Sequence, residues 1–188
     1  MTEHTNPNGC EVTATVTYLD MEAFPPGAPP PRPMLNSAIL RAYDPPVHFY
    51  RYLYDAVGRD YLWTERRSWS DEELATHLMS DKLELYILHI AGVPAGFAEL
   101  DFSEKKICQL AYFGLTPDFI GRRIGLWFLY QAIELAWARP ITRLLVSTCT
   151  RDHRKALSTY QRAGFNVHAR GEKTIAVPPD MKVPEHAN

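Results

Sequence analysis

Residues 114–130, GLTPDFIGRRIGLWFLY, restrict the possible folds of this chain more than any other stretch. They end an apolar run, break at Pro117, pass through Ile-Gly-Arg-Arg-Ile-Gly and open a long apolar helix pattern. Leu126, Leu129, Ile133, Ala136 and Trp137 keep the helical period across residues 124–139, and Trp127 and Phe128 widen the apolar face. Pro140 stops the pattern. A basic, glycine-bearing turn that opens a helix is a place to hold phosphate. The turn lacks the G-x-G-x-x-G of dinucleotide folds and the G-K-[ST] of a P-loop.

The elements around it set the order. Residues 11–20, EVTATVTYLD, are rich in β-branched residues and read as a strand. The proline-dense segment FPPGAPPPRP, residues 24–33, cannot join a ladder or a helix interior. It reads as a stiff covering loop, with a partner-binding polyproline segment as the alternative. Residues 46–57 carry apolar residues at helical spacing, with Asp44 as the expected cap. Tyr61 and Trp63 follow in a loop. Ser70 and Glu73 form a capping box for a helix to about Met79. Residues 83–90 and 95–102 read as strands joined by a turn, and a third strand runs from Lys105 through Leu115. After the long helix come a strand at 143–150 and a helix at 153–163 closed by Gly164. The final strands, 165–170 and 172–177, are expected as a hairpin around Gly171. The expected fold is mixed α/β with a largely antiparallel front half. It is expected as one domain over residues 11–178, between a flexible N-terminus, 1–10, and a C-terminal tail, 179–188.

Bulk properties exclude several classes. The chain has 188 residues, enough for one ordinary core, and a net charge of −2, so it lacks the basic footprint of a nucleic-acid binder. The opening MTEHTNPNGC has no apolar signal core, and no run is long enough to span a membrane. Cys10, Cys108 and Cys149 form neither a disulfide framework nor a CxxC site, and a cytoplasmic setting is expected. The seven histidines show no paired spacing, so no metal is expected.

Two motifs now coincide with a known family. The first is the six residues Ile120-Gly121-Arg122-Arg123-Ile124-Gly125, set against the pattern [RQ]-x-x-G-x-[GA]. The last glycine matches, whereas Ile120 and Arg123 depart from the pattern. The second lies in RDHRKALSTYQRAGF, against N-x-x-A-x-x-x-Y-x-x-x-G-F. Ala156, Tyr160, Gly164 and Phe165 match, and His153 replaces the asparagine. With the order of elements over roughly residues 11–177, the chain resembles the GNAT superfamily of N-acetyltransferases.

The resemblance implies the GNAT fold, a mixed and mostly antiparallel central sheet with helices on both faces. It implies acetyl-CoA as co-substrate, its pyrophosphate held by the turn and helix start from Ile120, Gly121, Arg122, Arg123, Ile124 and Gly125. His153 and Tyr160 are further cofactor contacts, with helix capping as the other reading of His153. The backbone of Leu115 is the implied oxyanion contact, and Gly114 the site of a local bulge or of a packing contact. Tyr160 is the implied general acid, against a buried tyrosine with a structural hydrogen bond. Gln109 stands near the place where several members carry a glutamate base. Glu99 is therefore a candidate base or amine binder, and Asp101, Gln109, Tyr61 and Trp63 are acceptor-site candidates. For Glu99 and Asp101 the plainer reading is an exposed strand face. Cys149 reads as a structural thiol. The implied activity is N-acyl transfer to a primary amine by direct attack in a ternary complex. The alternative is a silent coenzyme A-binding sensor or interaction module. The acceptor is a small molecule or a protein amine, no nucleic acid or membrane is expected, and a homodimer is compatible with the superfamily.

Overall fold

Three antiparallel strands form the front of the molecule: β3 (Leu83–Ile90), β4 (Val93–Asp101) and β5 (Ile107–Leu115). Ala91 and Gly92, at φ 50° and 87°, make the tight turn between the first two. In the computed structural model, which describes residues 9–183, these strands belong to a seven-stranded sheet. Its order is β2-β3-β4-β5-β6-β1-β7, with β1 (Cys10–Met21), β2 (Ser37–Ala42), β6 (Arg143–Cys149) and β7 (Asn166–Val177). Every neighbouring pair is antiparallel except β5 and β6, which are parallel.

Among the described residues four α-helices cover the sheet: α1 (Val47–Gly58), α2 (Asp71–Leu78), α3 (Gly125–Trp137) and α4 (Ala156–Arg162). Helix α1 and α2 residues such as Leu53 and Leu74 pack on Leu85, Ile87 and Phe97. On the opposite face, Phe128, Leu129 and Ile133 of α3 pack with Leu100, Leu110 and Val146. Each fully buried side chain of this kind contributes about 1.5–3 kcal/mol. Helix α2 carries the expected capping box: Glu73 N–H donates to Ser70 Oγ at 3.2 Å and Ser70 N–H to the Glu73 carboxylate at 2.7 Å. Helix α4 ends in a Schellman motif. Gly164 takes φ 104°, and Phe165 N–H donates to the Tyr160 carbonyl at 3.1 Å.

Three expectations are corrected and one strand is added. The short edge strand β2 was not foreseen, because six residues after a proline-rich loop give little alternation to read. Asp44 does not cap α1. It sits in the preceding turn at φ 46°, and Pro46 occupies the cap position without a side-chain bond. There is no hairpin at Gly171. The segment is one strand, β7, paired along β1 from Cys10↔Val177 to Asp20↔Asn166, with Gly171 opposite Val16. The bulge in β5 is not at Gly114. The register passes from Glu99↔Tyr112 to Leu100↔Leu110 and leaves Ala111 unmatched. Gly114 is small for packing, since a Cβ there would lie 2.3 Å from Val57 Cγ1.

The N-terminal strand thus sits inside the sheet, between β6 and β7, with antiparallel partners on both sides. Its Asp20 accepts from Arg143 of β6 at 2.8 and 2.5 Å. The proline-rich loop crosses from β1 toward β2 over the α3 and α4 side. Phe24 meets Tyr130 edge-on at 5.7 Å, and Pro25 lies beside Gly164. At the C-terminal end, Met181 is buried and Asp180 pairs with Arg67, so part of the expected tail is docked. The rest of both expected tails, residues 1–8 and 184–188, lies outside the described residues.

Candidate active site

The parallel strands β5 and β6 pair only from Ile107↔Arg143 to Leu110↔Val146. Beyond that, β5 continues to Leu115 and β6 to Cys149 without a mutual ladder. Thr116 N–H donates to the Ala95 carbonyl at 2.9 Å, which makes Ala95 and Thr116 a hydrogen-bonded pair. Antiparallel pairs alternate, so Gly96↔Leu115 and Ala98↔Phe113 are non-hydrogen-bonded pairs. The backbone N–H and C=O of Phe113 and Leu115 therefore point away from β4, into the gap. A cleft of about 1100 Å³ opens there, lined by both strands, the turn before α3 and the start of α4.

The turn brings donors to one side of the gap. The first helical bond of α3 runs from Phe128 N–H to the Ile124 carbonyl, at 2.9 Å. The N–H groups of Gly125, Leu126 and Trp127 thus have no acceptor within the helix. No side chain caps this end, and the first turn holds no acidic residue. Gly121 takes φ 82°, and a Cβ built on it would meet no protein atom within 4 Å. Arg123, at the pattern's glycine position, takes φ 61°, the left-handed region that glycine favours. Ile120, Gly121, Arg123, Ile124 and Gly125 all line the cleft. Arg122 is not among the lining residues, and its guanidinium lies 4.8 Å from the Phe119 ring centroid. Arg123, Arg154, Lys155 and Arg162 also line the cleft, and none forms an ion pair among the described residues. Among those residues no group of His, Cys, Asp and Glu converges to hold a metal ion.

Tyr160 stands at the same gap. Its ring is buried against Phe113 and Phe165, yet the residue lines the cleft. Among the described residues nothing bonds its hydroxyl. Burial, with the nearby Asp152 carboxylate, pushes its pKa up, so it stays protonated. His153 also lines the cleft, and its Nδ1 accepts from Lys155 N–H at 3.2 Å, just ahead of α4. Burial, Lys155 and Arg154 lower its pKa and keep it neutral. Cys149 is a poor nucleophile, because burial and Asp152 raise its pKa.

Successive side chains of β5 point to opposite faces of the sheet. Phe113 packs on Phe128 of α3, with centroids 5.1 Å apart, whereas Tyr112 packs on Tyr54 of α1 and on Trp63, each at 4.9 Å. The gap is therefore a passage through the sheet. On the α1 side its wall includes Tyr61, Trp63, Glu65, Arg66, Tyr112 and Lys173. Tyr112 donates to Glu65 at 2.9 Å, and Lys173 Nζ approaches the other Glu65 oxygen at 3.0 Å. Partial desolvation pushes the Glu65 carboxyl up, but the bonds from Lys173 and Tyr112 outweigh it and hold it below the usual range.

Glu99 is not on an exposed strand face. It is wholly buried and accepts from the Tyr50 hydroxyl, from Arg66 at 3.1 Å and from His77 at 3.2 Å. Desolvation disfavours charge on Arg66, but the Glu99 carboxylate more than restores it. Glu99 does not line the cleft, and Arg66 and Tyr112 stand between. Asp101 also lies off the cleft and accepts from Ser103 N–H at 2.7 Å where β4 ends. Gln109, Tyr61 and Trp63 do line it. Sequence reasoning missed Glu65, Tyr112 and Lys173. Each lies far from the others in the chain, and only the pairing of strands and loops brings them together.

A family model described as the acetyltransferase (GNAT) family matches residues 47–165. The chain belongs to this family. An uncharacterized N-acetyltransferase of Methanocaldococcus jannaschii is 25% identical over 116 residues, covering 57% of this chain and 50% of the relative. The chain thus spans about half the length of the curated relative it matches. The GCN5-related N-acetyltransferase from Sphaerobacter thermophilus superposes with TM-score 0.59 at 18% identity, over 87% of this GNAT chain and 52% of its own. AAC(6')-Iy, solved with the bisubstrate analog CoA-S-monomethyl-acetylneamine, does so with TM-score 0.53 at 17% identity, over 70% of this chain and 91% of its own. The family match stops short of β1, β2 and β7, so the strands that complete the GNAT sheet at both edges lie outside it.

Proposed function

We propose that the protein is an N-acyltransferase that moves an acetyl group from acetyl-CoA to a primary amine held on the α1 side of the gap. The observation that carries this reading is the passage through the sheet, with unpaired amide donors on one face and a free tyrosine hydroxyl at its edge. The residues present fit coenzyme A. The open start of α3 and the bare Gly121 suit a pyrophosphate, and the unpaired cations suit its remaining charge. The free backbone groups of Phe113 and Leu115 suit an extended amide-bearing arm, which they bond as they would another strand. Bound there, acetyl-CoA supplies an activated thioester.

The roles of the chain's own atoms follow. Leu115 N–H donates to the carbonyl oxygen as that oxygen gains charge. The neutral amine nitrogen bonds to the acyl carbon, and the carbon–sulfur bond breaks. Tyr160 Oη gives its proton to the leaving sulfur. The amine proton passes to solvent along the polar Tyr112–Glu65 wall, and solvent returns a proton to Tyr160 Oη. Glu99 holds Arg66 and Tyr50 in place rather than meeting substrate.

Release of free thiol from acetyl-CoA with a panel of primary amines tests the reading. Amine-dependent thiol release is expected. Tight coenzyme A binding without release across the panel would instead favour a silent binding module. Gly121→Val tests the turn itself. Its side chain meets open cleft rather than protein, and the left-handed φ disfavours it. Coenzyme A affinity is expected to fall about tenfold, with roughly 1–2 kcal/mol lost in stability. Calorimetry and urea denaturation read these two changes, and unchanged affinity would remove the turn from the cofactor site.

A further inference from the structure

The acceptor end of the cleft is bridged by segments outside the matched family region. The last pair between β1 and β6 is Val16↔Cys149, but β1 and β7 remain paired as far as Cys10↔Val177. A two-stranded ribbon therefore projects past the end of β6. It meets the connection between α1 and α2, where Leu62, at φ 57°, is buried with Ala14, Ile175, Val177 and Met181. Polar contacts reinforce the bridge. Lys173 pairs with Glu65, Arg59 donates to the Asp180 carbonyl at 2.8 Å, and Arg67 pairs with Asp180.

Leu62 and residues 173–176 of this bridge line the same cleft as Tyr61, Trp63 and Tyr112. Among the described residues two carboxylates line the cleft, Glu65 and Asp152. Asp152 accepts from Thr148 Oγ1 and Cys149 N–H through Oδ2, both at 2.7 Å, in the turn that leads to α4, whereas Glu65 stands on the wall with Trp63 and Tyr112. Glu65 keeps acceptor capacity, since a carboxylate has about four lone-pair positions and two are used. Among the described residues Arg66 is held by Glu99, and Lys173 reaches one Glu65 oxygen and Tyr112 the other, so each Glu65 oxygen has room for a further donor.

We infer that the acceptor is a small primary amine on an apolar or aromatic body. Glu65 holds its ammonium, and the rings of Trp63 and Tyr112 hold its body. A lysine on a folded protein surface does not reach beneath the bridge. This inference rests on the acyltransferase reading and narrows it.

The test compares 2-phenylethylamine, spermidine, a twelve-residue peptide with one lysine, and folded lysozyme as acceptors for the full chain, read by thiol release. 2-Phenylethylamine is expected to give a kcat/KM at least about tenfold above spermidine and the peptide, with lysozyme unmodified. Equal or better turnover of the peptide or lysozyme would overturn the inference and leave the acyltransferase intact. Equal turnover of spermidine would remove the aromatic wall from recognition. Glu65→Gln keeps an acceptor oxygen for Tyr112 and loses only the exposed ion pair with Lys173, so the fold is expected to persist. It is expected to raise KM for 2-phenylethylamine about tenfold without changing coenzyme A affinity. An unchanged KM would overturn the role of Glu65. Thiol release with none of the four, alongside intact coenzyme A binding, would overturn the acyltransferase reading itself.

Discussion

Tyr160→Phe is expected to lower kcat by roughly 10²-fold, the usual scale for losing one positioned acid. The ring stays packed on Phe113 and Phe165, because only the hydroxyl is removed. That hydroxyl bonds nothing among the described residues, so its loss leaves no orphaned partner. Stability is therefore expected to change by less than about 0.5 kcal/mol, in the range of substitutions that break no contact. Coenzyme A affinity, measured by calorimetry, is expected to stay within about twofold, since binding draws on the amides of α3 and the gap. A fall in turnover without a fall in affinity places the hydroxyl on the leaving sulfur. Unchanged turnover would return Tyr160 to a packing role.

The second large effect is on stability. Glu99→Ala is expected to cost about 3–5 kcal/mol, because it strands a buried charge. Arg66 has 13% of its side chain exposed and draws its compensation from Glu99. Without the carboxylate, the guanidinium, the Tyr50 hydroxyl and the His77 ring lose their shared acceptor. Glu99→Gln keeps an acceptor oxygen but not the charge, and is expected to lie between the wild type and Glu99→Ala in urea denaturation. Equal stability of the three proteins would show that Arg66 finds water instead. Activity should follow the fold in both variants, because Glu99 lies off the cleft.

Much of this was legible in the sequence, for reasons that differ by element. The capping box at Ser70, the Schellman end at Gly164 and the apolar period of α3 are local signals, written by neighbours in the chain. The turn at residues 120–125 was readable too, although Arg123 hid its left-handed conformation behind a residue that seldom adopts it. Edge strand β2 and the unbroken β7 depend on which partner lies alongside, and periodicity does not name partners. Glu99 shows the same limit. Alternation put it on one face of β4, but burial and three distant partners decide what it does. The cluster of Glu65, Tyr112 and Lys173 was beyond reach, because these residues meet only after the ribbon has folded over.

The place of β1 also affects how the protein is made. The strand leaves the ribosome long before its neighbours, β6 at residues 143–149 and β7 at 166–177. At ordinary rates of elongation, the intervening chain takes on the order of ten seconds to synthesise. During that interval a long β-branched strand has both edges open, and pairings so distant in sequence form slowly. β7, the last of the described strands to emerge, is also the one that brings Lys173 to Glu65. The nascent chain thus acquires the turn at residues 120–125 first, and the contact between Lys173 and Glu65 only after β7 has emerged.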